Sequence, residues 1–110
     1  MLRLVLCDQR DDRGSRYEEA RVRTDGGVTI IGEDSGSGVE DFFGSGIEDY
    51  EWTYDVDRGH LPQLIAALGG EGSDDVLALI GDYYASQGGA ALGQLLGSAP
   101  VNAAFHSYHS

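Results

Sequence analysis

Apolar and polar residues alternate with period two through most of the first half of the chain, and the period lengthens to that of a helix after Val56. Leu2, Leu4 and Leu6 alternate with Arg3, Val5 and Cys7, the pattern of a strand. The run DQRDDRGS that follows reads as a charged turn. Arg16–Arg23 and Val28–Ile31 flank Asp25-Gly26-Gly27. Asp-Gly between two β-type runs predicts a hairpin, because both residues tolerate the positive φ of primed turns. Tyr50, Trp52, Tyr54 and Val56 then alternate with Glu51, Thr53 and Asp55, which puts bulky side chains on one strand face and polar ones on the other.

Leu61, Leu64, Ile65 and Leu68 fall at the spacing of a helical stripe, with Pro62 in the first turn and Gly69-Gly70 as the stop. Ser73 is the expected N-cap of the next helix, with Asp74 and Asp75 at the positive end of its dipole. Val76, Leu77, Leu79, Ile80, Tyr83 and Tyr84 form its apolar stripe, and Gly88-Gly89 ends it. Ala90–Leu96 reads as a short third helix or an extension of the second. Pro100 closes it, and Val101–Tyr108 reads as a last strand. Strands first and helices later predict an α+β fold, with an antiparallel sheet of about four to five strands and two to three helices on one face. At 110 residues, without repeats or a long linker, a single domain over 1–110 is expected.

Charge changes the picture in one region. Residues 1–31 are neutral, residues 32–59 carry −8, and residues 60–110 carry −4 of the total −12. All seven cations are arginine, a bias that fits a GC-rich coding genome. So acidic a chain is a poor ligand for nucleic acid or for an anionic membrane, which both call for basic residues. Cys7 is alone, so no disulfide is expected within the chain, and no run is long enough to span a bilayer. The expectation is a soluble cytoplasmic protein.

The acidity concentrates in GEDSGSGVEDFFGSGIEDYEW, residues 32–52, which holds seven carboxylates, five glycines and four large aromatics without a single Lys or Arg. Gly32–Gly46 reads as an anionic loop, with one helical turn at Val39–Phe43. Carboxylates steer a cationic partner while aromatics desolvate as anchors, so Glu33, Asp34, Glu40, Asp41, Phe42, Phe43, Glu48, Asp49 and Glu51 are the expected partner-binding residues. The same aromatics can instead be core, Trp52 above all, since it shares a strand face with Tyr50 and Tyr54.

More specific chemistries fail on spacing. An EF-hand loop started at Asp34 has glycine at positions 3 and 5, Val39 at 6 and Ser45 at 12. The G-x-G fragments at Gly36 and Gly44 extend to neither nucleotide motif, and their negative surroundings repel phosphate. His60, His106 and His109 would need the fold to gather them with a carboxylate to hold zinc, and no flanking signature supports a Cys7–His nucleophilic pair. No cofactor and no catalytic residue is expected.

The pattern Gly32-Glu-Asp34, a glycine-rich spacer, Val39-Glu-x-Phe-Phe-Gly44, Asp49-Tyr-Glu-Trp52 and Leu-Pro-x-Leu-Ile-x-x-Leu-Gly-Gly70 resembles a group of small acidic proteins of uncharacterised function from high-GC bacteria. The resemblance covers roughly residues 16–97 and implies no catalytic residue. In size and acidity the chain is also similar to bacterial immunity proteins, a likeness of character and not of motif. The leading expectation is a non-enzymatic binding protein for a basic protein partner. The alternatives are a ligand-binding or enzymatic domain with a pocket between sheet and helices, and a homo-oligomer that buries its aromatics.

Overall fold

The computed structural model describes residues 2–36, 39, 49–72 and 74–109. These residues form strands β1 (Arg3–Asp11), β2 (Gly14–Val22), β3 (Val28–Gly36) and β4 (Asp49–Val56). A 3₁₀ turn at Arg58–His60 follows, then helices α1 (Leu61–Ala67), α2 (Val76–Gln87) and α3 (Gly89–Gly97), and finally β5 (Ala104–His109). The strands lie in the order β1-β2-β3-β4-β5, and every neighbouring pair is antiparallel. The α+β class, the antiparallel sheet and the helical second half are as the patterning predicts.

The register sorts the side chains into two faces. Leu4, Ala20, Ile30 and Tyr54 stand in one cross-strand row, and Val22, Val28 and Val56 in the next. Their face meets Leu64 of α1, Leu77 and Ile80 of α2, Leu92 and Leu96 of α3, and Val101, which together make the buried core. Helix α2 lies over β1 and β2, and α3 lies against α2 and β4. The helices therefore cover one face, and the other is left to polar and amphipathic side chains, as a one-sided antiparallel sheet allows.

Several boundaries differ from the expected ones for reasons visible in the register. Strand β1 runs on to Asp11 through residues expected to form a turn. Asp8 and Arg10 fall on the uncovered face, where charge costs nothing. The turn shrinks to Asp12-Arg13, with Asp11 Oδ1 accepting the Arg13 amide at 2.8 Å. Gly14 then begins β2 with φ +145°, and a Cβ there would stand 1.8 Å from the Ser35 carbonyl oxygen, so only glycine fits. Likewise β3 continues to Gly36, which turns the first third of the expected acidic loop into strand. Val39 is helical and buried, and the rest of the expected turn, residues 40–43, lies outside the described residues.

The N-cap of α2 is Asp75, not Ser73: its Oδ1 accepts the amides of Leu77 at 3.0 Å and Ala78 at 3.4 Å. The last strand starts at Ala104 because Val101 is buried against the helices instead. The chain doubles back there, with the Ala103 amide on the Leu96 carbonyl at 2.8 Å.

Trp52 is packed against this core, as one of the two readings anticipates. It pairs across the sheet with Gly32, and its indole lies over that residue so closely that a Cβ on Gly32 would meet Cε2 at 2.0 Å. Tyr54 braces the ring edge-on at 5.7 Å between centroids. Gly32→Ala is therefore expected to push the indole off the sheet and to destabilise the fold by about 1–3 kcal/mol, the ordinary cost of overpacking. Gly72→Ala, which meets nothing within 4 Å, should stay within about 0.5 kcal/mol of the parent. Denaturant unfolding followed by Trp52 emission measures both, and equal stability of the two variants would remove the indole from this packing role.

Candidate functional site: an acidic groove on the uncovered face

On the uncovered face one cross-strand row reads Asp8, Tyr17, Glu33, Glu51, Tyr108, one residue from each strand in order. The next row towards the β3–β4 end reads Arg10, Ser15, Ser35, Asp49. Together they line a groove of about 600 Å³. Its floor is rigid for a simple reason: both rows are held by the ladder, and the Ser15 and Ser35 hydroxyls share a hydrogen bond of 2.8 Å.

Glu33 and Glu51 are direct cross-strand partners. Side chains at such positions stand about 4.5–5.5 Å apart at Cβ, and like charges there are destabilising. Tyr108 donates its hydroxyl to Glu51 Oε2 at 2.6 Å, which orients that carboxylate and, with Glu33 close by, raises the phenol's own pKa. Asp49 stands one row away on the same face. Of the two arginines lining the groove, Arg16 is bound to Asp34 at 3.1 Å, which leaves Arg10 facing Asp8, Glu33, Asp49 and Glu51.

Four of the expected partner-binding residues are thus placed. Glu33, Asp49 and Glu51 converge on one face. Asp34 stands in the alternate row with Arg16 and Tyr50, which also reaches the groove, and there its salt bridge spends its charge. Glu40, Asp41, Phe42, Phe43 and Glu48 lie outside the described residues. Asp8, Tyr17 and Tyr108 join the site without having been expected. The sequence does carry a signal for Tyr17, since RYEEARVR alternates and puts Tyr17, Glu19 and Arg21 on one face.

Beside the groove the same face buries a carboxylate. Glu19 is only 2% exposed although no helix covers it. Tyr17 donates to its Oε1 at 2.7 Å, Arg21 Nε to Oε2 at 2.7 Å, and Arg3 Nε approaches Oε1 at 3.4 Å. Burial alone would hinder ionisation, but the phenol and the two guanidiniums outweigh it and hold the carboxyl below its ordinary range. A second cluster joins the residue after β2 to β3 and β4, where Arg23 Nη1 donates to Asp55 Oδ1 at 2.8 Å and to Thr29 Oγ1 at 3.2 Å.

The other chemistries raised by the sequence are not assembled. Cys7 and His106 lie on β1 and β5, at opposite edges of the sheet. His60 is bound to Asp57 at 2.8 Å in the 3₁₀ turn. Among the described residues no group of three or more His, Cys, Asp or Glu side chains could hold a metal ion. Under the helices, Tyr84 donates its hydroxyl to Glu18, and burial together with that carboxylate pushes the phenol far above its ordinary pKa. No helix of the described residues is long and apolar enough to cross a membrane. Searches against protein-family models, curated proteins and solved structures return no match to this chain.

The Glu19 cluster fixes a pH response. A carboxyl whose native pKa lies below its unfolded value of 4.5 stabilises the fold fully above that pH. The contribution is lost as pH falls through the lower native value. Melting temperature should therefore drop below about pH 4.5, and Glu19→Gln should be less stable at neutral pH and lose less on acidification. Parallel acid profiles for parent and variant would contradict the assignment.

Proposed function

We propose that the protein is a non-enzymatic acidic binding protein that receives a cationic protein partner on the uncovered face of its sheet. An inhibitor of the immunity type, which neutralises a basic protein by covering it, fits this surface. The observation that carries the reading is the Glu33–Glu51 register pair. A like-charge pair directly across two strands opposes folding, and a protein keeps such a pair where the charge is used. Asp8 and Asp49 extend it into an anionic surface, and the exposed Tyr108 supplies an aromatic contact at its edge.

The groove suits a protein side chain better than a small substrate. Its lining is dominated by carboxylates and phenols, and none of the described helices lies above it to exclude water. Electrostatic catalysis depends on a site that does exclude water. Recognition of a guanidinium or ammonium by carboxylates on a rigid sheet does not.

Two measurements test the reading. Glu33→Gln should raise stability by about 0.2–1 kcal/mol, because it relieves the cross-strand repulsion. The double variant Glu33→Gln, Glu51→Gln should bind an oligoarginine peptide more weakly than the parent in calorimetric titration at low salt. The parent's own affinity should fall as salt rises, since exposed charges beyond about 10 Å are screened at 0.1 M. An affinity that ignores both the substitutions and the salt would sink the proposal.

A further inference from the structure

The two edges of the sheet are not alike. Strand β1 carries Arg3, Asp8, Arg10 and Asp11, and its pairing with β2 shifts register between Val5 and Cys7. Charges and a bulge of this kind are the usual means by which an edge strand is kept from pairing with another chain. Strand β5, AFHSYH, has none of them. It contains no Asp, Glu, Lys, Arg, Pro or Gly, and its register with β4 is unbroken from Ala104 to His109. Among the described residues it pairs with β4 alone. Phe105 and Tyr108 are 49% and 63% exposed along it.

Resting on the cationic-partner reading above, we propose that the partner binds as an added strand on β5, with an arginine or lysine opposite Tyr108. The position is fixed by the register. A sixth strand would extend the row Asp8, Tyr17, Glu33, Glu51, Tyr108 by one residue, and that residue would stand two strand spacings, about 10 Å, from Glu51. A guanidinium there lies across the exposed Tyr108 ring, a cation–π contact, and points towards the Glu33–Glu51 pair. The two strands nearest the edge carry no Lys or Arg, and Asp49 and Glu51 lie at the end away from the Arg23–Asp55 pair, so a basic strand meets complementary charge at that end. Main-chain hydrogen bonds to β5 supply affinity, and the alternating basic side chains supply selectivity. A second copy of this chain is the wrong occupant: each copy carries −12, and its β5 has no Lys or Arg to place opposite Tyr108.

The test compares two synthetic peptides of equal charge. One alternates arginine with valine, and the other repeats arginine-proline-proline with the same number of arginines, so that amides are missing along both of its edges. The valine peptide should bind the full chain about tenfold more tightly, a loss of one to two main-chain hydrogen bonds in the proline peptide. It should also slow amide hydrogen exchange within Ala104–His109. His106→Pro and Ser107→Pro complete the design, because on adjacent residues one amide points at β4 and the other outward. The variant that melts like the parent is the outward one, and it should abolish the preference for the valine peptide. If both variants melt lower, the exchange measurement on the parent decides.

Equal, salt-sensitive binding of both peptides would overturn strand addition while leaving the acidic groove as the binding surface. Failure of both peptides to bind would remove the cationic-partner reading and this proposal together. Protection outside β5 with none inside it, or a parent that is a dimer by light scattering and already protected along β5 without peptide, would also overturn the proposal.

Discussion

One constraint organises this molecule: a five-stranded antiparallel sheet has apolar cover for one face only. The seam where Val28, Ile30 and Val56 meet Leu64, Leu77, Ile80, Leu92 and Leu96 is where the fold removes most apolar surface from water. Every strand must present its bulky residues to that seam, so register and alternation are locked together, and a slip by one residue would invert the sheet. The opposite face inherits whatever the alternate positions hold. In this chain those positions hold Asp8, Glu33, Asp49 and Glu51, and the anionic groove is the other side of the same alternation.

Because none of the described helices covers that face, it satisfies its polar groups with its own side chains. Glu19 is buried under Tyr17, Arg21 and Arg3, and Arg23, just past β2, binds both Thr29 of β3 and Asp55 of β4. These two clusters lie towards the β2–β3 hairpin end, while Asp8, Glu33, Asp49 and Glu51 gather at the other with Arg10 among them. The face is thereby divided into a neutralised half and a charged half. A partner that seeks negative charge meets it at one end of the sheet only.

Much of this was legible in the sequence, because the signals were local. Strict alternation at Tyr50–Val56, Asp25-Gly26 between β-type runs, and the leucine spacing after Leu61 each specify an element within a few residues. The extents of β1 and β3 were not legible, because charges in DQRDDRGS and in Gly32–Gly36 look like turn chemistry until the register assigns them to a solvated strand face. For the same reason Glu33 and Asp34, adjacent in sequence, seem equivalent. Pairing separates them into a groove residue and the partner of Arg16. Tyr108 escaped notice because its role depends on Glu51, 57 residues away.

Chain order adds a last point. Asp55 and Ala104 are register partners, so the entire helical layer, with Val101, is the connection between two adjacent antiparallel strands. Synthesis from the N-terminus therefore makes β1–β4 before α1, α2 and α3, with the apolar side of the meander still bare. Bare sheets of that kind associate with one another, and the −8 carried by residues 32–59 sets nascent copies repelling each other over the interval. The last six-residue strand then acts as a latch: once it pairs with β4, both ends of the helical excursion are anchored and the core face is sealed.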